Sequence, residues 1–433
     1  MIVSYIYLIL LVIAAIIICL ISIQKYKRII NPLLAAIIPL CLACLFTVNN
    51  NKLTTEELNT GLKWILIGII LFSLSFSIGL PIGIGVNKTI QKRDEIYYSK
   101  RTVSILINWL CVLLFVDFLM TFSKVYNIAG SVKAILISST WVRNQYLHRS
   151  GSRFHTIIGL LISMNITVIS CLFPKAIQLK CKYIKIKFMY AILMMLINSI
   201  VTMSKDSFIV HLIIIVYSFS QFSLNRKSEF EIIKKNAKWV ILLFAALLIF
   251  IGVQRDYLAY RYNSYLEIVI GTFTGYITIP VISFCLLLKT NQFTYGVLCF
   301  RPILNILSYL GIGERYSIIQ MDVEGGSNVF STFGNMYRDF GIRGIIFLSL
   351  LFGLLLGVLY DRKTQRFDRV VCNSIIGMIM IFTFYDFKLI QTIYPISILY
   401  AWILEKIIRK RLYIYNTLDK ERANVIKAGV ECQ

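Results

Sequence analysis

Apolar runs close to bilayer-spanning length recur from one end of this chain to the other, separated by short segments rich in Lys and Arg. This pattern limits the fold sharply. In hydrocarbon, a run of ~20 apolar residues satisfies its own backbone polar groups only as a helix. The expected fold class is therefore an all-α polytopic membrane protein. About 11 transmembrane helices are predicted, at roughly 3–23, 29–48, 64–86, 103–122, 157–173, 188–203, 208–224, 239–253, 344–360, 370–385 and 390–404. The first run has no basic segment before it and no small-residue cleavage site after it, so it is expected to stay as an anchor.

Composition excludes other classes. The chain is 58% hydrophobic and 15% charged, far from an ordinary soluble domain. A net charge of +24 would point to nucleic acid in a soluble protein. Here the basic residues lie mostly in short loops beside spans, where they orient a membrane protein, so no nucleic acid is expected as a partner. The ten cysteines lie mostly within apolar runs without metal-ligand spacing, and only three histidines are present. No metal or other cofactor is expected.

Charge orders the loops. Segments 24–28, 87–102, 174–187, 225–238, 361–369 and the tail from 405 alternate with the rest and hold 29 of the 45 basic residues. Assigning them to the cytoplasm satisfies the positive-inside rule at every step. The outward set is then 49–63, a basic loop at 123–156, the turn at 204–207, a long segment at 254–343 and a turn near 386–388. Of the 16 basic residues outside, 9 are Arg; of the 29 inside, 10 are Arg. A guanidinium grips phosphate with two parallel hydrogen bonds, so the outward bias toward Arg suggests an anionic substrate.

Four motifs carry candidate chemistry. Loop 123–156 holds Lys124, Lys133, Arg143, Arg149 and Arg153 and no acidic residue, an arrangement that attracts phosphate or places snorkelling cations at lipid headgroups. Arg143 leads this set because Trp141 and Tyr146 flank it. The turn Ser204-Lys205-Asp206-Ser207 either pairs its own charges or points Lys205 into an outward cavity. Segment 254–343 opens with Arg255 and Arg261 and continues with Arg301, Arg315, Arg338 and Arg343. Its apolar runs at 266–288 and 295–310 are two further spans, giving 12–13 in all, or helices that dip into the outer face; Gly, Thr and Tyr interruptions favour dipping. The last motif is 327–344. Asn328, Ser331, Thr332 and Asn335 recur at helical spacing and give a polar stripe suited to sugar recognition; the plainer reading is an amphipathic helix followed by a Gly-rich turn, with Asp339 capping the next span. Asp117 and His211 lie within spans and Asp386 at a span end; structural pairing is expected for Asp117 and a mainly structural role for His211.

At this last motif the chain resembles the O-antigen polymerase family, the Wzy-type oligosaccharide repeat-unit polymerases. The shared pattern is N-x-x-x-T followed by Y-x-D-F-G-x-x-G running into a span, here Asn328, Thr332, Tyr337, Asp339, Phe340, Gly341 and Gly344. The 204–207 turn, the acid-free loop around Arg143 and the long outward segment are also similar in layout. The resemblance implies a GT-C-like, metal-independent, inverting glycosyltransferase in the bacterial inner membrane, with its active site facing the periplasm. Donor and acceptor would both be undecaprenyl-pyrophosphate-linked oligosaccharides, with a chain-length regulator and a flippase as partners. The roles implied are catalytic for Asp339, Arg255 and Arg143, and substrate-binding for Lys205, Arg261, Arg301, Arg315, Asn328, Thr332 and Tyr337. Asp256 and Glu267 are further candidates for a general base. A ligase that moves the glycan to another acceptor, and a lipid-linked oligosaccharide flippase, are the alternative functions.

Overall fold

The computed structural model describes residues 2–26, 31–48, 52–91, 96–137, 142, 145–146, 153–202, 205–222, 265–290, 293–309, 311–313, 329–361 and 366–411. The predicted span at 239–253 lies outside them. Fourteen α-helices are present among the described residues: α1 (Ile2–Tyr26), α2 (Pro32–Val48), α3 (Thr55–Gln91), α4 (Lys100–Ala129), α5 (Val132–Ile137), α6 (Arg153–Ser170), α7 (Phe173–Gln178), α8 (Ile184–Thr202), α9 (Lys205–Phe222), α10 (Tyr265–Leu287), α11 (Arg301–Tyr309), α12 (Thr332–Leu359), α13 (Phe367–Ile381) and α14 (Ile393–Ile408). Six carry stretches long and apolar enough to cross a membrane, in α1, α3, α4, α8, α12 and α13. Shorter apolar helices lie at Pro32–Val48, Ile157–Ser170, Ser207–Phe222 and Thr274–Leu287. The chain is thus a multi-pass membrane protein. Ile9, Ile13, Ile16 and Leu20 stand exposed along α1, a surface that suits lipid rather than water.

Local signals set the helix ends. Thr54 and Glu57 form a reciprocal cap at the start of α3: the Thr54 N–H donates to Glu57 Oε2 at 2.6 Å and the Glu57 N–H to Thr54 Oγ1 at 3.3 Å. Gly130 ends α4 with φ 75°. A two-stranded antiparallel ribbon, β1 (Ile96–Tyr98) with β2 (Arg409–Arg411), ties the entry of α4 to the exit of α14, with Tyr97 opposite Lys410.

The most extensive helix contact joins α3 to α12. Its basis is a small-residue seam. A Cβ on Gly353 would collide with the Phe72 carbonyl and Ser75, one on Gly357 with the Phe76 carbonyl, and one on Gly79 with the Leu354 carbonyl. Gly353 and Gly357 form a G-x-x-x-G pair, which lets two backbones approach where no hydrophobic effect drives helices together. Ser75 Oγ sits 3.3 Å from the Ser349 carbonyl across the same seam.

α12 is broken near its start. Phe340 (φ −141°, ψ 18°) and Gly341 (φ 63°, ψ −149°) leave helical geometry, and the Gly341 values suit only a residue without Cβ. The break is sharp. A Cβ on Gly344 would strike the Met336 carbonyl, and Ser349 Oγ lies 3.5 Å from Met336 Sδ. Residues 332–339 therefore form an arm folded back along the helix that follows. The run expected at 295–310 contains α11, nine residues preceded by a turn at 293–300, so it is not one helix of spanning length.

Candidate functional site

The arm, α11 and the α13–α14 connection meet around a largely buried cluster of polar side chains, the polar recess of this fold. Three contacts fix its position. Asn335 Nδ2 on the arm donates to Asp386 Oδ1 at 3.3 Å, and Arg301 Nε at the head of α11 donates to the Ile390 carbonyl at 3.2 Å. Asn305 Nδ2, one turn further along α11, lies 3.5 Å from Thr392 Oγ1. Beneath these groups, Phe300 and Phe387 both pack on Phe352, at ring-centroid distances of 6.2 and 4.9 Å. Phe352 lies eight residues beyond Gly344, about 12 Å along the helix axis. The polar groups therefore sit well below the kink, beside apolar spans.

Two cations are built into this recess. Arg301 and Lys388 are 6% and 3% exposed, values that such side chains rarely reach without a purpose-built setting. Lys388 Nζ reaches Asp386 Oδ2 at 3.3 Å and lies over the rings of Phe382 and Tyr385 at 5.0 and 5.7 Å. Burial pushes the Arg301 guanidinium below its usual pKa range, and the Asp386 carboxylate opposes that shift. Arg338, one turn beyond Asn335, is also buried, with its guanidinium 5.0 Å from the Phe330 ring. The rings of Tyr276 and Tyr385 stack nearly parallel, 5.6 Å apart at 7°.

Asp339 occupies a different setting. It is fully buried and faces the 294–299 turn. Its Oδ1 accepts Thr294 Oγ1 at 2.5 Å and the Leu298 N–H at 3.1 Å; its Oδ2 accepts the Cys299 N–H at 2.6 Å. The backbone adds Thr294 N–H to the Arg338 carbonyl (2.8 Å) and Tyr295 N–H to the Asp339 carbonyl (3.1 Å). Asp339 thus caps the turn leading into α11, forty residues back in sequence, and not the helix after the kink. Exchanging Asp339 for Asn sets an amide donor against one of these donors. It should lower stability by about 1–3 kcal/mol, read as a fall in melting temperature in detergent; an unchanged melt would contradict the cap.

The remaining candidates are placed as follows. The Tyr337 hydroxyl donates toward the Leu288 and Thr290 carbonyls at 3.1 and 3.2 Å and ties the end of α10 to the arm. Thr332 is buried in the first turn of the arm, behind the Ser331 cap. Lys205 opens α9, and its side chain, like that of Glu267 in α10, lies outside the described atoms. Arg143, Arg149, Arg255, Asp256, Arg261, Arg315 and Asn328 lie outside the described residues. Arg343 is exposed at the rim of a cavity of about 420 Å³ whose walls include Phe293, Tyr295, Phe300, Phe340 and Phe347. Asp117 accepts Asn198 Nδ2 at 2.5 Å across α4 and α8, the structural pairing expected. His211 bridges the Ser207 carbonyl (2.7 Å) and Thr167 Oγ1 (3.3 Å).

Sequence reasoning expected Arg301, but it did not join it to Lys388, Asp386, Asn335 and Asn305. One signal was present. Asp386 and Lys388 stand between two apolar runs, 370–385 and 390–404, that leave almost no loop between them. No family model, curated protein or solved structure matches this chain.

Proposed function

We propose that this protein joins lipid-linked oligosaccharide repeat units into a polysaccharide by inverting glycosyl transfer. The observation that carries the reading is the recess holding buried Arg301 and Lys388 beside Asn335, Asn305 and Thr392. Fixed cations in a poorly hydrated site stabilise the charge that develops on a departing pyrophosphate more than they would in water. Amides and hydroxyls around them suit sugar recognition. The cavity at the kink, aromatic with Arg343 at its rim, suits the polyprenyl chain and its first phosphate.

On this reading the chain is a GT-C-like enzyme of about 11 spans with the recess opening outward. Both substrates are undecaprenyl-pyrophosphate-linked glycans. A flippase would deliver them, and a chain-length regulator would act on the product. Arg143, Arg255, Arg261 and Arg315 would supply further charge from the two outward segments.

Purified protein in nanodiscs, given a lipid-pyrophosphate-linked repeat unit, should make a ladder of longer lipid-linked glycans without added metal. Movement of the intact lipid between leaflets with no new glycosidic bond would support a flippase and reject the polymerase.

A further inference from the structure

We propose that Asp386 is the carboxylate that accepts the proton of the attacking sugar hydroxyl. The inference rests on the glycosyl-transfer reading above and assigns the base within the same recess.

Three other carboxylates lie at this end of the described structure: Asp339 and Glu57 are committed elsewhere, and Glu56 stands exposed on the surface in the first turn of α3. Asp339 is fully enclosed by three donors. Glu57 caps α3 and pairs with Lys289. Asp386 differs in access: its side chain is 24% exposed, while the side chain of its partner Lys388 is 4% exposed. Each of its oxygens receives one side-chain donor, Asn335 Nδ2 on Oδ1 and Lys388 Nζ on Oδ2, both at 3.3 Å. A carboxylate oxygen has two lone pairs, so each keeps acceptor capacity beyond these contacts. The two donors come from different elements and hold the group in one orientation. Its backbone is fixed as well, with the Asp386 N–H donating to the Phe382 carbonyl at 2.8 Å. Tyr385, the preceding residue, stacks with Tyr276 and puts a flat aromatic wall beside the carboxylate, a surface suited to the C–H face of a pyranose.

The step balances. The acceptor hydroxyl gives its proton to Asp386 and its oxygen bonds to the donor's anomeric carbon. The bond from that carbon to the pyrophosphate oxygen breaks, and its electron pair leaves on undecaprenyl pyrophosphate. The carboxylate loses its charge as charge builds on the leaving group, so the recess gains no net negative charge.

The test uses full-length protein in nanodiscs with the lipid-linked repeat unit as probe. Asp386→Asn keeps the shape and should lower kcat by roughly 10²–10⁴-fold, with KM within about threefold. Asp386→Glu and Asp386→Gln form a second, size-matched pair that guards against a folding defect in the Asn variant; Glu should retain turnover and Gln should lose it. Equal turnover of Glu and Gln, or near wild-type kcat in Asp386→Asn, would overturn the assignment and leave glycosyl transfer standing. Absence of any glycosidic bond formation by the wild type would remove the underlying reading instead.

Discussion

Exchanging Arg301 for Ala is expected to abolish long polysaccharide while the protein still accumulates in the membrane. Removing a fixed donor to a developing oxyanion typically costs about 3–4 kcal/mol, so turnover should fall by roughly 10²–10³-fold. The case for Arg301 rests on its burial and its anchoring. Its Nε is engaged by the Ile390 carbonyl, which orients the fork, and Asp386 lies close enough to shift its titration. Arg301→Lys separates charge from geometry. Lys keeps the charge but cannot present a planar pair of donors, so it should recover only part of the loss. Glycan length on gels, set against protein level by immunoblot, reads both variants. Wild-type ladders from Arg301→Ala would remove Arg301 from the anion site.

The second large effect is structural and independent of any activity. Gly357→Leu should abolish folding. At this position even a single Cβ would collide with the Phe76 carbonyl, which belongs to the α3 backbone and cannot swing aside as a side chain would. Overpacking costs typically 1–3 kcal/mol where side chains can yield; a backbone clash on the principal helix seam should exceed that. Size-exclusion chromatography in detergent should show aggregation or loss of the monodisperse peak. A monodisperse Gly357→Leu protein with an unchanged melting temperature would show that the seam is not needed. Gly130→Ala offers a contrast: space surrounds that Cβ position, so the positive φ alone is penalised and the cost should be about 1–2 kcal/mol, without loss of folding.

The helices were legible in the sequence and the recess was not, for one physical reason. A span is announced by its own residues, because hydrocarbon demands a continuous apolar run. Ten of the eleven expected runs fall on described helices, and the remaining one, 239–253, lies outside the described residues. The recess instead depends on pairs far apart in the chain. Arg301 meets Ile390 across 89 residues, and Asn335 meets Asp386 across 51. No local pattern encodes such pairs. The polar stripe at 328–335 was visible, but its partner was not. Asp339 shows the same limit. Its position before a span suggested a cap for that span, whereas its acceptors serve the Leu298 and Cys299 amides at the end of a turn that no local signal links to it. The glycines of the Y-x-D-F-G-x-x-G pattern did announce a turn, but not its sharpness: Gly341 takes the positive-φ position and Gly344 clears room for the Met336 carbonyl.

That fold-back also decides how α12 fits a bilayer. As an unbroken rod its 28 residues would measure about 42 Å and exceed a hydrocarbon layer of ~30 Å, forcing a steep tilt or local thickening of the lipid. With the arm doubled back, only residues 342–359 count toward the crossing, about 27 Å. That length is close to the hydrocarbon thickness and removes the need for a steep tilt. The same glycine that bends the chain adjusts the hydrophobic thickness of the protein.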